Sequence, residues 1–316
     1  MKKIFTLLTI ASTIAVFAQD EAPKLAISGT VDAYYQTNLS AADDVVQSFG
    51  TSFADETGFA LGMANAIFTY EGEKTGVVAD VVFGPRADAA VGGYNLNQLY
   101  AYWNVSETTT LTMGRFNTYL GYEVISPSGN FNYSTSYLFS NGPFSHVGLK
   151  ADFDLGNDTS LMLALMNPTD VNNNTTGGYA LGAQLGFAGQ FLNLYYDNDE
   201  VLGFEIDYTG GFDLSEDFFL GINGAYQVSD DAGFYGVALY PQLATSETFS
   251  INSSFKADKF LPSDWGLSIP LNFNFSTQNS TPKYYPYQPD VLTGSFEDAP
   301  DEIKSLNKTM SFSTSF

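Results

Sequence analysis

The sequence contains no cysteine, which excludes disulfide bonds and also a lipid anchor attached to cysteine. Positive charge is scarce, because 12 Lys and Arg stand against 35 Asp and Glu, for a net charge of −23. A chain this acidic is not expected to bind nucleic acid, since phosphates require a positively charged surface. Beyond the first eighteen residues no apolar run reaches the ~20 residues of a transmembrane helix. Stability must therefore come from backbone pairing and burial.

Residues 1–18 have the pattern of a cleaved secretory signal. Lys2 and Lys3 precede an apolar run over residues 4–17, and Val16 and Ala18 satisfy the small-residue rule for cleavage before residue 19. A membrane-anchor helix is disfavoured because the run is too short to span a bilayer. The sequence predicts export, with residues 19–316 forming a single domain.

Most of the remaining chain alternates between apolar and polar residues, which is the period of a half-buried strand. The pattern is clearest after residue 145, where the apolar face consists of Val147, Leu149, Ala151 and Phe153. About fifteen such segments have roughly the ~9–11 residues that a tilted membrane strand needs. Since single-chain outer-membrane barrels close with an even number of strands, 14 or 16 strands are predicted.

Four features favour a membrane barrel over a secreted β-sandwich. Short turns at residues 106–108, 156–158 and 188–189 alternate with long polar loops, and the second face of many strands is polar. Aromatic residues make up 16% of the chain, as two interfacial girdles would require. The chain ends on an alternating segment closed by Phe316, which resembles the assembly signal of bacterial outer-membrane proteins. The fold predicted is an all-β, antiparallel, up-and-down transmembrane β-barrel in the bacterial outer membrane.

This fold predicts particular partners. Outer-membrane lipid and lipopolysaccharide would surround the barrel, and the barrel-assembly machinery would recognise the strand ending at Phe316. A homo-oligomer is left open. One connection, residues 117–145, is far longer than a hairpin needs. We expect this long loop to lie at the mouth of the barrel or to fold into it.

The same stretch carries a family resemblance, through the residues Gly114, Thr118, Gly121, Tyr122, Glu123, Asn130, Asn132, Tyr133, Ser134, Ser136, Tyr137, Gly142, Pro143, His146 and Gly148. In this segment the chain resembles the OmpL-like outer-membrane β-barrel porins of Bacteroidota, and a weaker resemblance extends over about residues 25–256. It implies a monomeric or trimeric diffusion barrel without chemistry of its own.

The tail, residues 258–316, departs from that pattern. Residues 258–270 and 281–284 are similar instead to a motif of the giant translocon barrel of the type-nine secretion system. An alternative function is therefore a non-conducting structural or accessory barrel of an outer-membrane secretion or surface complex.

Charged residues on polar faces are the candidate pore-lining positions. By strand parity these are Asp80, Lys150, Asp152, Glu205 and Asp207, and His146 is expected to face the lumen or anchor a loop. Arg115 shares the parity of apolar Leu111 and Met113, so either it snorkels or a bulge at Gly114 turns it inward. We favour the bulge, which would place Arg115 beside Glu123 in a constriction.

The sequence thus predicts a porin for small hydrophilic solutes, with a cation preference suggested by the excess of acid. An outer-membrane enzyme is disfavoured, because His146 is the single histidine and no Gly-x-Ser-x-Gly motif accompanies it. No acidic cluster has the spacing of a dedicated metal loop, and no cofactor is predicted.

Overall fold

The computed structural model describes residues 24–38, 52–53, 56–130, 132–198, 202–229, 232–246, 249–253, 255–261, 265–268, 271–275 and 310–315. The predicted signal at residues 1–18, the tail segment 281–284 and Phe316 lie outside the described residues. In the described part of the chain, no helix is long and apolar enough to cross a membrane.

Twelve strands follow one another along the chain. They are β1 (Lys24–Asn38), β2 (Gly58–Glu71), β3 (Thr75–Phe83), β4 (Leu96–Ser106), β5 (Thr109–Asn117), β6 (Ser145–Gly156), β7 (Thr159–Met166), β8 (Ala180–Phe187), β9 (Gln190–Asp197), β10 (Phe204–Asp213), β11 (Phe218–Ser229) and β12 (Ala232–Ser246). Each pairs antiparallel with the next. The predicted antiparallel, up-and-down arrangement is confirmed for these strands.

Five shorter strands complete the sheet: β13 (Phe249–Ser253), β14 (Phe255–Leu261), β15 (Trp265–Ser268), β16 (Leu271–Phe275) and β17 (Met310–Ser315). Strand β12 pairs with both β13 and β14, and β17 meets β1 in parallel over three residues. The described residues therefore hold 17 strand segments, which is more than the 14 or 16 predicted. They do not close through an antiparallel pair of first and last strands.

The two ends of the sheet differ as expected. Short turns join β2 to β3, β4 to β5, β6 to β7 and β8 to β9, whereas at the opposite end the β1–β2, β3–β4, β5–β6 and β7–β8 connections are long. At the β6–β7 turn, Asn157 and Asp158 both have positive φ, 53° and 56°. Two such residues give the turn a twist that matches the flanking strands.

Two short helices and one 3₁₀ turn lie in the long connections. Helix α1 (Pro85–Val91) joins β3 to β4, and the β5–β6 connection contains the 3₁₀ turn Pro127–Gly129 and helix α2 (Tyr137–Asn141). That connection, residues 118–144, is hereafter the long loop. Its observed bounds agree with the predicted loop at residues 117–145.

The two faces of the sheet have the reverse of the polarity found in water-soluble proteins. Leucines of the outward face such as Leu163 and Leu181 are 48% and 58% exposed, while Asn193 and Asp207 are 0% exposed on the inward face. Soluble proteins bury leucine side chains and expose those of asparagine and aspartate. An outward apolar face with an inward polar face is the arrangement of a transmembrane barrel.

The sheet curves around the long loop. Within this loop Tyr119 contacts β9, Gly121 contacts β10, Glu123 contacts β12 and Tyr133 contacts β1. One segment can reach strands so far apart in the pairing order only if the sheet wraps around it. The loop therefore folds into the interior rather than over the mouth.

Placing a charge on the outward face should destabilise the protein in lipid. We expect Leu163→Arg to lower the free energy of unfolding by roughly 2–4 kcal/mol, because the guanidinium would enter the hydrocarbon region. Urea titration in lipid vesicles, followed by tryptophan fluorescence, measures this. The matched control is Thr110→Arg on the inward face of β5, and an equal loss in both variants would contradict the assignment of faces.

Candidate functional site

The first limb of the long loop binds the wall formed by β9 to β12. The Tyr119 hydroxyl donates to the carbonyl of Leu194 at 2.7 Å, and Gly121 N–H donates to Asp207 Oδ1 at 3.0 Å. Burial raises the pKa of Tyr119, and the nearby acids of β10 reinforce the shift, so the phenol stays a donor.

At the end of this limb, Glu123 forms a second anchor. Its carboxylate accepts hydrogen bonds from the Ser136 N–H at 2.9 Å and from the Tyr240 hydroxyl at 3.1 Å. The ring of Tyr122 stacks on that of Tyr240, with centroids 4.6 Å apart. This limb is consequently held by polar and aromatic contacts at once.

The second limb reaches the opposite wall. The hydroxyl of Tyr133 donates to Asp32 on β1, and its ring lies 5.2 Å from that of Tyr34. Burial, followed by the hydrogen bond to Asp32, raises the pKa of Tyr133. Behind it Ile125 and Phe139 join a buried apolar cluster whose other members are Phe53, Met63, Val82, Ala87, Ala90 and Val91. The long loop therefore bridges the interior from β10–β12 to β1–β3.

The base of the long loop is fixed by the next connection, residues 167–179. Asp170 accepts hydrogen bonds from the N–H groups of Phe144 and Ser145, at 3.1 and 2.8 Å. Burial raises the pKa of Asp170, against the lowering effects of these donors and of the Arg115 charge. Thr118 N–H donates to the carbonyl of Phe144 at 3.1 Å and closes the loop.

Two interior carboxylates are each held by asparagines on both neighbouring strands. On β3, Asp80 accepts from the side-chain amides of Asn65 and Asn97 at 3.2 and 2.7 Å, and Asn65 in turn accepts from Thr30. We call the row formed by Thr30, Asn65, Asp80 and Asn97 the first ladder. All its bonds cross between strands, so it ties β1 to β4 inside the sheet.

The second ladder repeats this arrangement on β8 to β11. Asn193 donates to Asp207 at 2.7 Å and accepts from Gln184 at 2.8 Å, and Asn223 donates to the other carboxylate oxygen of Asp207. Six strands separate Asp80 from Asp207 in the pairing order. Two fixed acids therefore lie on well-separated walls, and the second also anchors the long loop.

Comparison with known families agrees with this architecture. A family model described as beta-barrel porin-2, OmpL-like, matches residues 24–253. The chain belongs to this family. The match covers the twelve consecutive strands and the long loop, and it confirms the porin resemblance predicted over about residues 25–256. No curated protein matches the chain.

In this porin-family chain the residues predicted to line a pore all have little exposed area, at most 9%. Lys150 and Asp152 form an ion pair of 2.9 Å on the inward face of β6, and Lys150 lies over the ring of Phe116. Glu205 is also inward on β10, and its Oε2 has no hydrogen-bond partner among the described residues. These groups belong to the interior beside the long loop.

His146 is a loop anchor in the structure. Its Nε2 lies 3.0 Å from the Thr118 hydroxyl, and its ring packs between those of Tyr119 and Tyr195, with centroids 5.3 and 5.7 Å away. Nδ1 has no partner among the described residues, so no carboxylate there orients the ring as a catalytic triad requires. Packing and one polar contact account for its position.

The arrangement predicted for Arg115 is wrong. The register of β5 with both neighbours is continuous through Gly114, so no bulge turns the side chain inward. Instead, Arg115 donates to the carbonyl of Asn97 at 3.1 Å and to the side chain of Asn172, and Asp170 is a nearby opposite charge. The connection at residues 167–179 covers it, which sequence parity could not reveal.

Glu123 interacts electrostatically with Arg86, which the sequence pattern did not single out. Arg86 lies on α1, in a stretch that reads as an irregular Gly-rich loop. The proline at residue 85 is typical of a helix start, and it is the feature of the sequence that indicates a helix here. No feature of the sequence indicates that the helix points inward.

Removing the acid of the first ladder should be costly. Asp80→Ala would leave the amides of Asn65 and Asn97 without their acceptor, at roughly 1–3 kcal/mol for each buried group. We expect the free energy of unfolding in vesicles to fall by about 2–5 kcal/mol. The control is Asp217→Ala, at an exposed turn residue. Similar stability for both variants would show that the ladder contributes little.

Proposed function

We propose that the protein is an outer-membrane porin through which small hydrophilic solutes diffuse past the long loop. The observation that carries this proposal is a polar, curved inner face crossed by a loop that is anchored to opposite walls. A loop in this position narrows the lumen and leaves solutes a path along polar side chains. Membership of the porin family supports the same function.

We further propose that the pore prefers cations. The interior carries Asp80, Glu205 and Asp207, whereas the charge of Lys150 is offset by Asp152. Amide donors stabilise Asp80 and Asp207 without adding positive charge. Together with Glu123, His146, Lys150 and Asp152, these acids are the groups proposed to shape the constriction. Arg115 is not included, because it lies under the connection at residues 167–179.

The proposal includes export of the protein and its location in the outer membrane. We infer that residues 1–18 are removed on export, and that residues 19–316 form one barrel domain in the outer membrane of a member of the Bacteroidota. Lipid and lipopolysaccharide would contact the outward leucines, and the assembly machinery would bind the strand ending at Phe316. The chain is proposed to transport without catalysis or cofactor. Self-association would use the outward face.

Single-channel recording tests the proposal directly. Refolded protein (residues 19–316) in a planar bilayer should give discrete open steps, and in a KCl gradient the reversal potential should show cation preference. A reversal potential of the opposite sign would contradict the cation preference alone. The absence of steps from folded protein would contradict the porin function and favour the accessory barrel, which co-purification of a large complex would then test.

A further inference from the structure

Arg86 is the side chain on which three connections of the sheet converge. It belongs to α1, whose residues Ala87, Ala90 and Val91 are buried against the long loop and β3, and Arg86 itself is 4% exposed. The helix reaches this place because Gly84, with φ of +105°, passes against β2. A Cβ at Gly84 would lie 2.7 Å from the carbonyl oxygen of Gly62. The backbone path thus carries a guanidinium inside the sheet.

The guanidinium binds two backbone carbonyls of the long loop. Nε donates to the carbonyl of Ile125 at 2.7 Å, and Nη1 donates to the carbonyl of Tyr133 at 3.0 Å. These carbonyls lie on either side of the 3₁₀ turn Pro127–Gly129. The rigid fork of arginine can hold two acceptors at once, which an ammonium group cannot do with the same geometry.

Aromatic rings also contact the Arg86 guanidinium, and one of them belongs to the β1–β2 connection. The Arg86 Cζ lies 4.4 Å from the ring centroid of Phe53, in the β1–β2 connection, and 5.5 Å from that of Tyr133. In the same connection, Ser52 N–H donates to Ser140 Oγ at 2.8 Å. The β1–β2, β3–β4 and β5–β6 connections therefore meet around one cation.

Two acids act electrostatically on this charge, Asp32 on β1 and Glu123 in the long loop. Burial lowers the pKa of Arg86, while Tyr133, Asp32 and Glu123 raise it. Asp32 and Glu123 are also the acids that anchor the two limbs of the long loop, through Tyr133 and Tyr240. A buried cation is tolerated only with such partners, so loop position and charge compensation depend on each other.

We propose that Arg86 is the positioning residue that locks α1, residues 52–53 and the long loop into one unit across the lumen. This inference rests on the proposed porin function for its effect on conductance, but not for its effect on the loop. Loss of Arg86 loosens the loop on the β1–β3 side, where the bond from Tyr133 to Asp32 remains, and leaves the contacts to Asp207 and Tyr240 in place. The loosened loop then leaves a wider and less uniform lumen.

The test compares Arg86→Met, Arg86→Lys and Lys150→Met in protein refolded into lipid vesicles. Proteinase K cleavage within residues 118–144, mapped by mass spectrometry, should accelerate about tenfold or more in Arg86→Met. This is the change expected for losing at least one charge-assisted hydrogen bond. Arg86→Lys should fall between Arg86→Met and wild type. Lys150→Met removes an interior cation whose partner is on its own strand, and should leave cleavage unchanged.

Conductance gives the second readout. Arg86→Met should show larger or multiple open levels, whereas Lys150→Met should only shift the reversal potential towards cation preference. Methionine fills similar space, so unchanged cleavage in Arg86→Met would mean that Arg86 acts by packing, and would overturn the proposal. If Arg86→Met does not fold, unchanged cleavage in Arg86→Lys overturns it instead. A wild type that folds but does not conduct would contradict the porin function, while the cleavage result would still decide the role of Arg86.

Discussion

The apolar surroundings of the sheet determine how its interior is arranged. Backbone groups facing lipid must bond within the sheet, and polar side chains must turn inward, where they need partners of their own. The two ladders meet this need by placing an acid between two asparagines, so that the amide donors of these asparagines have an acceptor. The long loop brings further polar groups inside, and its anchors follow the same requirement.

The strand pattern and the loop bounds could be predicted because they depend on residue type alone. Alternation around Leu149 and Lys150 predicts which side chain faces outward, and the structure agrees. The ladders could not be predicted in this way. Asn65 and Asp80 are fifteen residues apart, and their contact is diagonal, since Asn65 lies opposite Val82 in the register. A shift of one residue would have separated them.

The two buried arginines show a different limit. The alternation along β5 correctly predicts that Arg115 stands at an outward position. It does not predict the connection that covers the side chain. For Arg86 the inward course depends on the close approach of Gly84 to β2, which requires the folded sheet. The covering of a side chain by a distant connection and the close approach of two backbones are tertiary properties. In this protein they determine the environment of both buried guanidinium groups.

The long loop belongs to the wall of the lumen as much as the strands do. Its removal would leave Asp207 without the Gly121 donor, Asp32 without Tyr133 and Arg86 without both carbonyl acceptors. It would also uncover apolar side chains of α1 that the loop now buries. A deleted loop would therefore change stability and pore width together. Substitution at one anchor separates these effects, because the opposite wall still holds the remaining limb.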